Sequence, residues 1–212
     1  PASGTFSRHC KPREALGKII GPTGGVGCGK STVVKLLQKN YRSHAILTDD
    51  VAREQMLPGG IAYRRVVEEF GAGILAADGT VDRAKLAEIV FADCGALARL
   101  NALTHPPVTE YVLQQIEEER EKNRYQLLII ETALLIEGGY DAFCDEVWYV
   151  YATEEERRLR LKRSRGYSDE KIDALFARQC PEADFFAVAT HVVNNSDGRT
   201  EEELLADIKE FL

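Results

Sequence analysis

Residues 24–31, GGVGCGKS, leave this chain few folds to choose from. They satisfy G-x-x-x-x-G-K-S/T at every fixed position. A short apolar run, Lys18-Ile19-Ile20, stops at these glycines. After them, residues 31–40 (STVVKLLQKN) place Val33, Val34, Leu36 and Leu37 on or near one helical face. Strand, glycine-rich turn and helix in that order make a phosphate-binding loop. Glycines let backbone N–H groups turn inward around a β-phosphate, and the helix amino terminus adds the positive end of its dipole. Gly24, Gly25, Val26, Gly27, Cys28 and Gly29 are expected to form the cradle. Lys30 would reach the β- and γ-phosphates, the Ser31 hydroxyl would ligate Mg²⁺, and Thr32 would meet the α-phosphate. ATP with Mg²⁺ is the expected cofactor pair, since no N-K-x-D segment for guanine occurs.

The rest of the chain alternates between strand and helix patterns. Ala45-Ile46-Leu47 is a second apolar run, ending at Thr48-Asp49-Asp50, and a helix over 51–56 is predicted to follow it. The stretch 61–122 reads as largely helical, punctuated at Phe70-Gly71, Asp78-Gly79 and His105-Pro106-Pro107. QLLII (126–130) and EVWYVY (146–151) read as strands buried on both faces, followed by a last strand near 191–193 and a helix over 200–212. Thr153 and Ser168 are placed to cap helices. The alternation predicts an α/β fold, a parallel sheet flanked by helices. The predicted core comprises 18–60 and 125–212. A helical substrate-binding subdomain is expected over about 61–124, above the sheet's carboxyl edge, and a cationic lid over about 157–170. Residues 1–17, without an apolar period, read as an extension or tag remnant.

Charge narrows the ligand. The 212 residues carry 27 Lys+Arg against 34 Asp+Glu, a net charge of −7, which argues against nucleic acid or an anionic membrane as partner. No apolar run approaches the roughly 18–20 residues that span a bilayer. The five cysteines are scattered without a C-x-x-C pair, which fits a reducing cytoplasm better than zinc or disulfides. A monomer or weak homo-oligomer acting on a small anionic molecule is expected.

Several motifs in order resemble one family. Residues 20–32 (IGPTGGVGCGKST) resemble I-G-L-T-G-G-I-G-S-G-K-S-T, and residues 48–53 (TDDVAR) resemble a D-A-D-x-I/L-A-R segment. Phe70-Gly71, Ile74-Leu75, Asp78-Gly79, Arg83, Leu86 and Phe91 follow the family spacing. Leu100-Asn101 with His105-Pro106 resembles L-N-x-I/L-x-H-P, Leu134-Leu135-Ile136-Glu137 resembles P-L-L-F/I-E, and Asn194-Asn195 resembles a closing D-N. From about Lys18 onward the chain thus resembles the dephospho-CoA kinases, P-loop kinases related to the nucleoside monophosphate kinases. The resemblance implies phosphorylation of the ribose 3′-hydroxyl of dephospho-CoA by ATP, giving coenzyme A and ADP. Two alternatives stand beside it: another P-loop small-molecule or nucleoside monophosphate kinase, and a non-catalytic ATP-binding module.

The resemblance also assigns roles. It puts the catalytic aspartate at Asp49, whose carboxylate would accept the hydroxyl proton; the same position suits a helix cap. Arg53 would bind substrate phosphate or lie in solvent. His105 would touch substrate or cap the helix after it. Leu134 and Glu137 would frame the acceptor pocket, with Leu135 either beside them or in the core. Glu131 either orients a metal-bound water or simply ends a strand. Within the cationic run 157–165, Arg163 and Arg165 are expected to face ATP phosphates, Arg163 as a catalytic cation. Asn195 would meet adenine or form a turn. Departures from the family pattern are Pro22, Leu47, Ala133 and Thr190. Cys28, standing where serine is usual, predicts that its oxidation or alkylation would crowd the phosphates.

Overall fold

The computed structural model describes residues 17–93 and 95–212, so the expected extension lies, apart from Gly17, outside the described residues. Among these, five strands form one parallel sheet: β1 (Ile19–Thr23), β2 (Ser43–Leu47), β3 (Leu127–Glu131), β4 (Glu146–Tyr151) and β5 (His191–Asn194). Their spatial order is β2-β3-β1-β4-β5. Parallel neighbours need crossovers, which helices mostly supply. They are α1 (Lys30–Asn40), α2 (Thr48–Gln55), α3 (Ile61–Phe70), α4 (Arg83–Ala92), α5 (Ala96–Lys122), α6 (Glu154–Arg165), α7 (Asp169–Phe176), α8 (Glu182–Val188) and α9 (Glu201–Phe211).

The apolar strands divide their side chains between two cores. Ile20, Leu127, Ile129, Trp148, Val150 and Val193 meet α1 and α9 through Val33, Val34, Leu37, Leu204 and Ile208. Ile19, Ile46, Leu128, Ile130 and Val147 turn the other way, onto Val51 of α2 and Val108, Val112 and Ile116 of α5. QLLII is apolar at successive positions because both its faces are covered. A third, smaller core of Val66, Ile74 and Leu86, with Phe70, Leu100 and Leu103 packed against it, holds α3, α4 and the start of α5 together.

Three local expectations change. α5 runs through His105-Pro106-Pro107 without ending, so His105 is an exposed residue inside a helix and caps nothing. Pro106 and Pro107 withhold N–H donors from the carbonyls of Ala102 and Leu103. Packing outweighs that loss: Leu100 and Leu103 join the small core on one side, and Val108 and Val112 the sheet core on the other. Secondly, α2 starts at Thr48, which puts Asp49 inside its first turn with no side-chain cap bond. Asp49 is therefore no cap. Thirdly, α8 was not legible as a separate helix; its buried Phe185 stacks on Tyr149 at 5.4 Å.

Candidate active site

Parallel strands end together, and here three of them deliver the polar groups to one edge. The glycine loop leaves β1 after Thr23, Glu131 is the last residue of β3, and Leu47, its register partner, ends β2 two residues before Asp49. Asp49, Glu131 and the loop thus stand in strand order across the carboxyl edge.

The loop joins β1 to α1, the place its motif predicts for it. Gly29, at φ 95°, lies in the left-handed region and turns the chain into α1; a Cβ there would also overlap the Asn195 amide. Lys30 Nζ donates to Gly24 O at 2.5 Å, which holds the ammonium across the cradle. Ser31 Oγ donates to Glu131 Oε1 at 3.1 Å. That bond brings together two hard oxygen ligands, and among the described residues no group of three or more His, Cys, Asp or Glu forms a cage. Such a pair fits a Mg²⁺ ion that draws its other ligands from phosphate and water.

Cys28 and Asn195 take roles the sequence did not show. Cys28 is only 1% exposed and packs with Ile20 and Val33 in the core, so its thiol lies beneath the loop and modification there would disturb packing first. This corrects the expectation that modification of the thiol would crowd the phosphates directly. Asn195 is buried, and its Nδ2 donates to Cys28 O at 2.7 Å. It anchors the loop rather than making a turn.

The cationic run of α6 divides by partner. Arg158 pairs with Asp169 and Asp173, Arg160 with Asp197, and Lys162 with Asp169. Arg160 also donates to Cys28 O at 3.3 Å and to Asn195 O at 2.7 Å. Arg157 Nε donates to Val26 O at 2.9 Å. Arg163 and Arg165 are exposed and form no ion pair among the described residues; Arg165 faces the Tyr167 ring at 5.9 Å. Sequence reasoning missed Arg157 and Arg160 as loop contacts. One signal was available: a helix that follows a parallel strand begins at the carboxyl edge, so its first turns, not its last, lie nearest the loop.

The acceptor-side candidates are more dispersed. Asp49 is exposed, and its carboxylate has no partner among the described residues. Arg53 pairs with Asp50 at 2.9 Å. Leu135 is core, whereas Leu134 is 46% exposed beside it in sequence. Glu137 accepts a hydrogen bond from Cys180 Sγ at 3.0 Å. That bond, with some burial, pushes the thiol up to about 11. Thr32 is exposed on the first turn of α1.

The dephospho-CoA kinase family model matches residues 18–201. A dephospho-CoA kinase of Carboxydothermus hydrogenoformans is 36% identical over 91% of this chain and 94% of its own. One from Geobacter sulfurreducens is 38% identical over 91% and 96%. The chain belongs to the dephospho-CoA kinase family. A solved Thermus thermophilus structure superimposes with a TM-score of 0.72 at 29% identity, covering 92% of this kinase and 96% of that chain. The fold shared with that structure thus takes in nearly the whole chain. No helix among the kinase's described residues is long and apolar enough to cross a membrane.

Proposed function

We propose that this kinase transfers the γ-phosphoryl group of Mg²⁺-ATP to the ribose 3′-hydroxyl of dephospho-CoA, releasing ADP and coenzyme A. The observation that carries the reading is the order Asp49, Glu131, phosphate loop along three adjacent strands, on a chain of this family. On this reading an acceptor base, a metal carboxylate and a donor cradle would have separate places on one edge.

The loop amides and Lys30 would bind the β- and γ-phosphates, Lys30 exchanging the Gly24 carbonyl for phosphate oxygen. Ser31 and Glu131 would hold Mg²⁺, directly or through water; the ion's contribution is to neutralise charge that spreads over the transferring group. Phosphoryl transfer through a loose transition state needs alignment and charge more than covalent help. Asp49 would accept the 3′-hydroxyl proton as the oxygen approaches phosphorus. Arg163 and Arg165 are the exposed cations of the α6 run that form no ion pair among the described residues, which supports their role as lid residues facing phosphate. Arg53, His105, Leu134 and Glu137 are proposed as the acceptor's surroundings, and Asn195 as a neighbour of adenine through its hold on the loop. The reading includes a cytoplasmic location.

The test is turnover with Mg²⁺-ATP and a panel of acceptors, followed by ADP release and product mass. A mass gain of one phosphate on dephospho-CoA is expected; phosphorylation of AMP or a sugar instead would overturn the substrate. Asp49→Asn is expected to lower kcat by about 10²-fold or more with ATP affinity nearly intact. A rate close to wild type would remove Asp49 from the chemistry.

A further inference from the structure

One residue of the phosphate loop, Val26, has both its backbone N–H and its carbonyl held by side chains, one from α6 and one from the segment after α7. The Val26 N–H donates to Gln179 Oε1 at 3.0 Å, and the Val26 carbonyl accepts from Arg157 Nε at 2.9 Å. Arg157 Nη2 closes the ring by donating to the same Gln179 oxygen at 2.8 Å. The guanidinium is itself confined. Its carbon lies 4.4 Å from the Phe176 ring centroid, and a Cβ on Gly25 would overlap it. Arg157 therefore lies close to both an aromatic ring, which favours a cation, and the loop backbone.

We propose that Arg157 and Gln179 are positioning residues for ATP: they fix the first half of the phosphate loop in its binding shape from outside it. Two features support this over ordinary packing. Both backbone polar groups of a single residue, Val26, are satisfied by side chains 131 and 153 residues away in sequence, on α6 and on the segment after α7. The close approach also requires glycine at position 25, so loop and lid are fitted to each other. A loop whose N–H groups must converge on one phosphate loses binding free energy if it must first be ordered. The pair removes that cost before nucleotide arrives. The proposal rests on the loop being the ATP site.

Binding of a non-hydrolysable ATP analogue, measured by calorimetry, separates the possibilities when combined with kcat and both KM values. Arg157→Ala and Gln179→Leu are expected to weaken analogue binding about tenfold, the scale of a hydrogen bond to a charged group, with the acceptor's KM unchanged. The double variant should be no worse than the poorer single one, because either change opens the same ring. Arg157→Lys should behave like Arg157→Ala, since an ammonium lacks the planar two-nitrogen fork and the flat face that the guanidinium uses here. Gln179→Glu, which keeps both acceptor contacts, should bind the analogue more tightly than Gln179→Leu and so controls for folding. Analogue affinities within about twofold of wild type, fully additive losses, or a defect confined to the acceptor's KM would each overturn the proposal. Wild-type protein that fails to bind the analogue would overturn the ATP reading beneath it.

Discussion

Single residues at this site are distinguished by what already holds them. Among the described residues Asp49 carries a carboxylate without a partner, whereas neighbouring Asp50 is tied to Arg53 at 2.9 Å, so of these two only Asp49 can take up a proton without first breaking an ion pair. Cys180 is held differently, by donating its S–H to Glu137. That bond favours the thiol over the thiolate and pushes the group up to about 11, so alkylation near neutral pH is slow. Replacing the acceptor charge, Glu137→Gln, is expected to speed Cys180 labelling by iodoacetamide, with peptide mass mapping as the readout. An unchanged rate would mean that the carboxylate does not control this thiol. Cys28, sealed in the core, should be labelled only when the protein unfolds.

At the scale of elements, α6 determines how the loop meets the helices that follow β4. Thr153 and Glu156 close a capping box: Thr153 Oγ1 accepts from the Glu156 N–H at 3.3 Å, and Glu156 accepts from the Thr153 N–H at 2.8 Å. The box sets where α6 starts, and so where Arg157 falls. Thr153→Ala should lower stability by about 1 kcal/mol, measured by urea unfolding; a loss near zero would show that packing alone fixes the start. Elements of this kind were legible in the sequence. Thr153, Ser168 and the apolar runs of β3 and β4 announce themselves through local chemistry and periodicity. The break expected at Pro106-Pro107 was a local signal overruled by contacts from distant parts of the chain. The site divides in the same way. Lys30 and Ser31 follow from the motif. Arg157 and Gln179 act on Val26 only because two segments far apart in sequence return to the same edge, and no spacing rule encodes that return. Among a run of near-identical arginines, partner choice depends on helix phase and neighbours, which composition does not carry.

For the whole molecule, most ion pairs among the described residues lie at the surface, the pair of Arg124 with the buried Glu119 excepted. Hydrogen bonds from Lys162 and Arg158 hold the Asp169 carboxyl below its ordinary value, Arg99 does the same for Asp93, and Lys122 for Glu118. A carboxyl lowered in the folded state contributes stability above its unfolded pKa and loses that contribution as pH falls through the folded one. The melting temperature should therefore be flat near neutrality and fall below about pH 4, with added salt reducing the difference. A Tm independent of pH across that acid range would show that these pairs form equally well in the unfolded chain.

The strand order β2-β3-β1 also amounts to a ruler. Neighbouring strands lie about 4.8 Å apart, so the strand leading to Asp49 and the strand leading to the glycine loop are separated by about 10 Å. That gap is comparable to a proton acceptor, an attacking oxygen, a phosphorus and a departing oxygen laid end to end. Backbone hydrogen bonds, the least adjustable distances in the molecule, would then gauge the span of the reaction. Mutations could change which acceptor fits the gap far more readily than the gap itself.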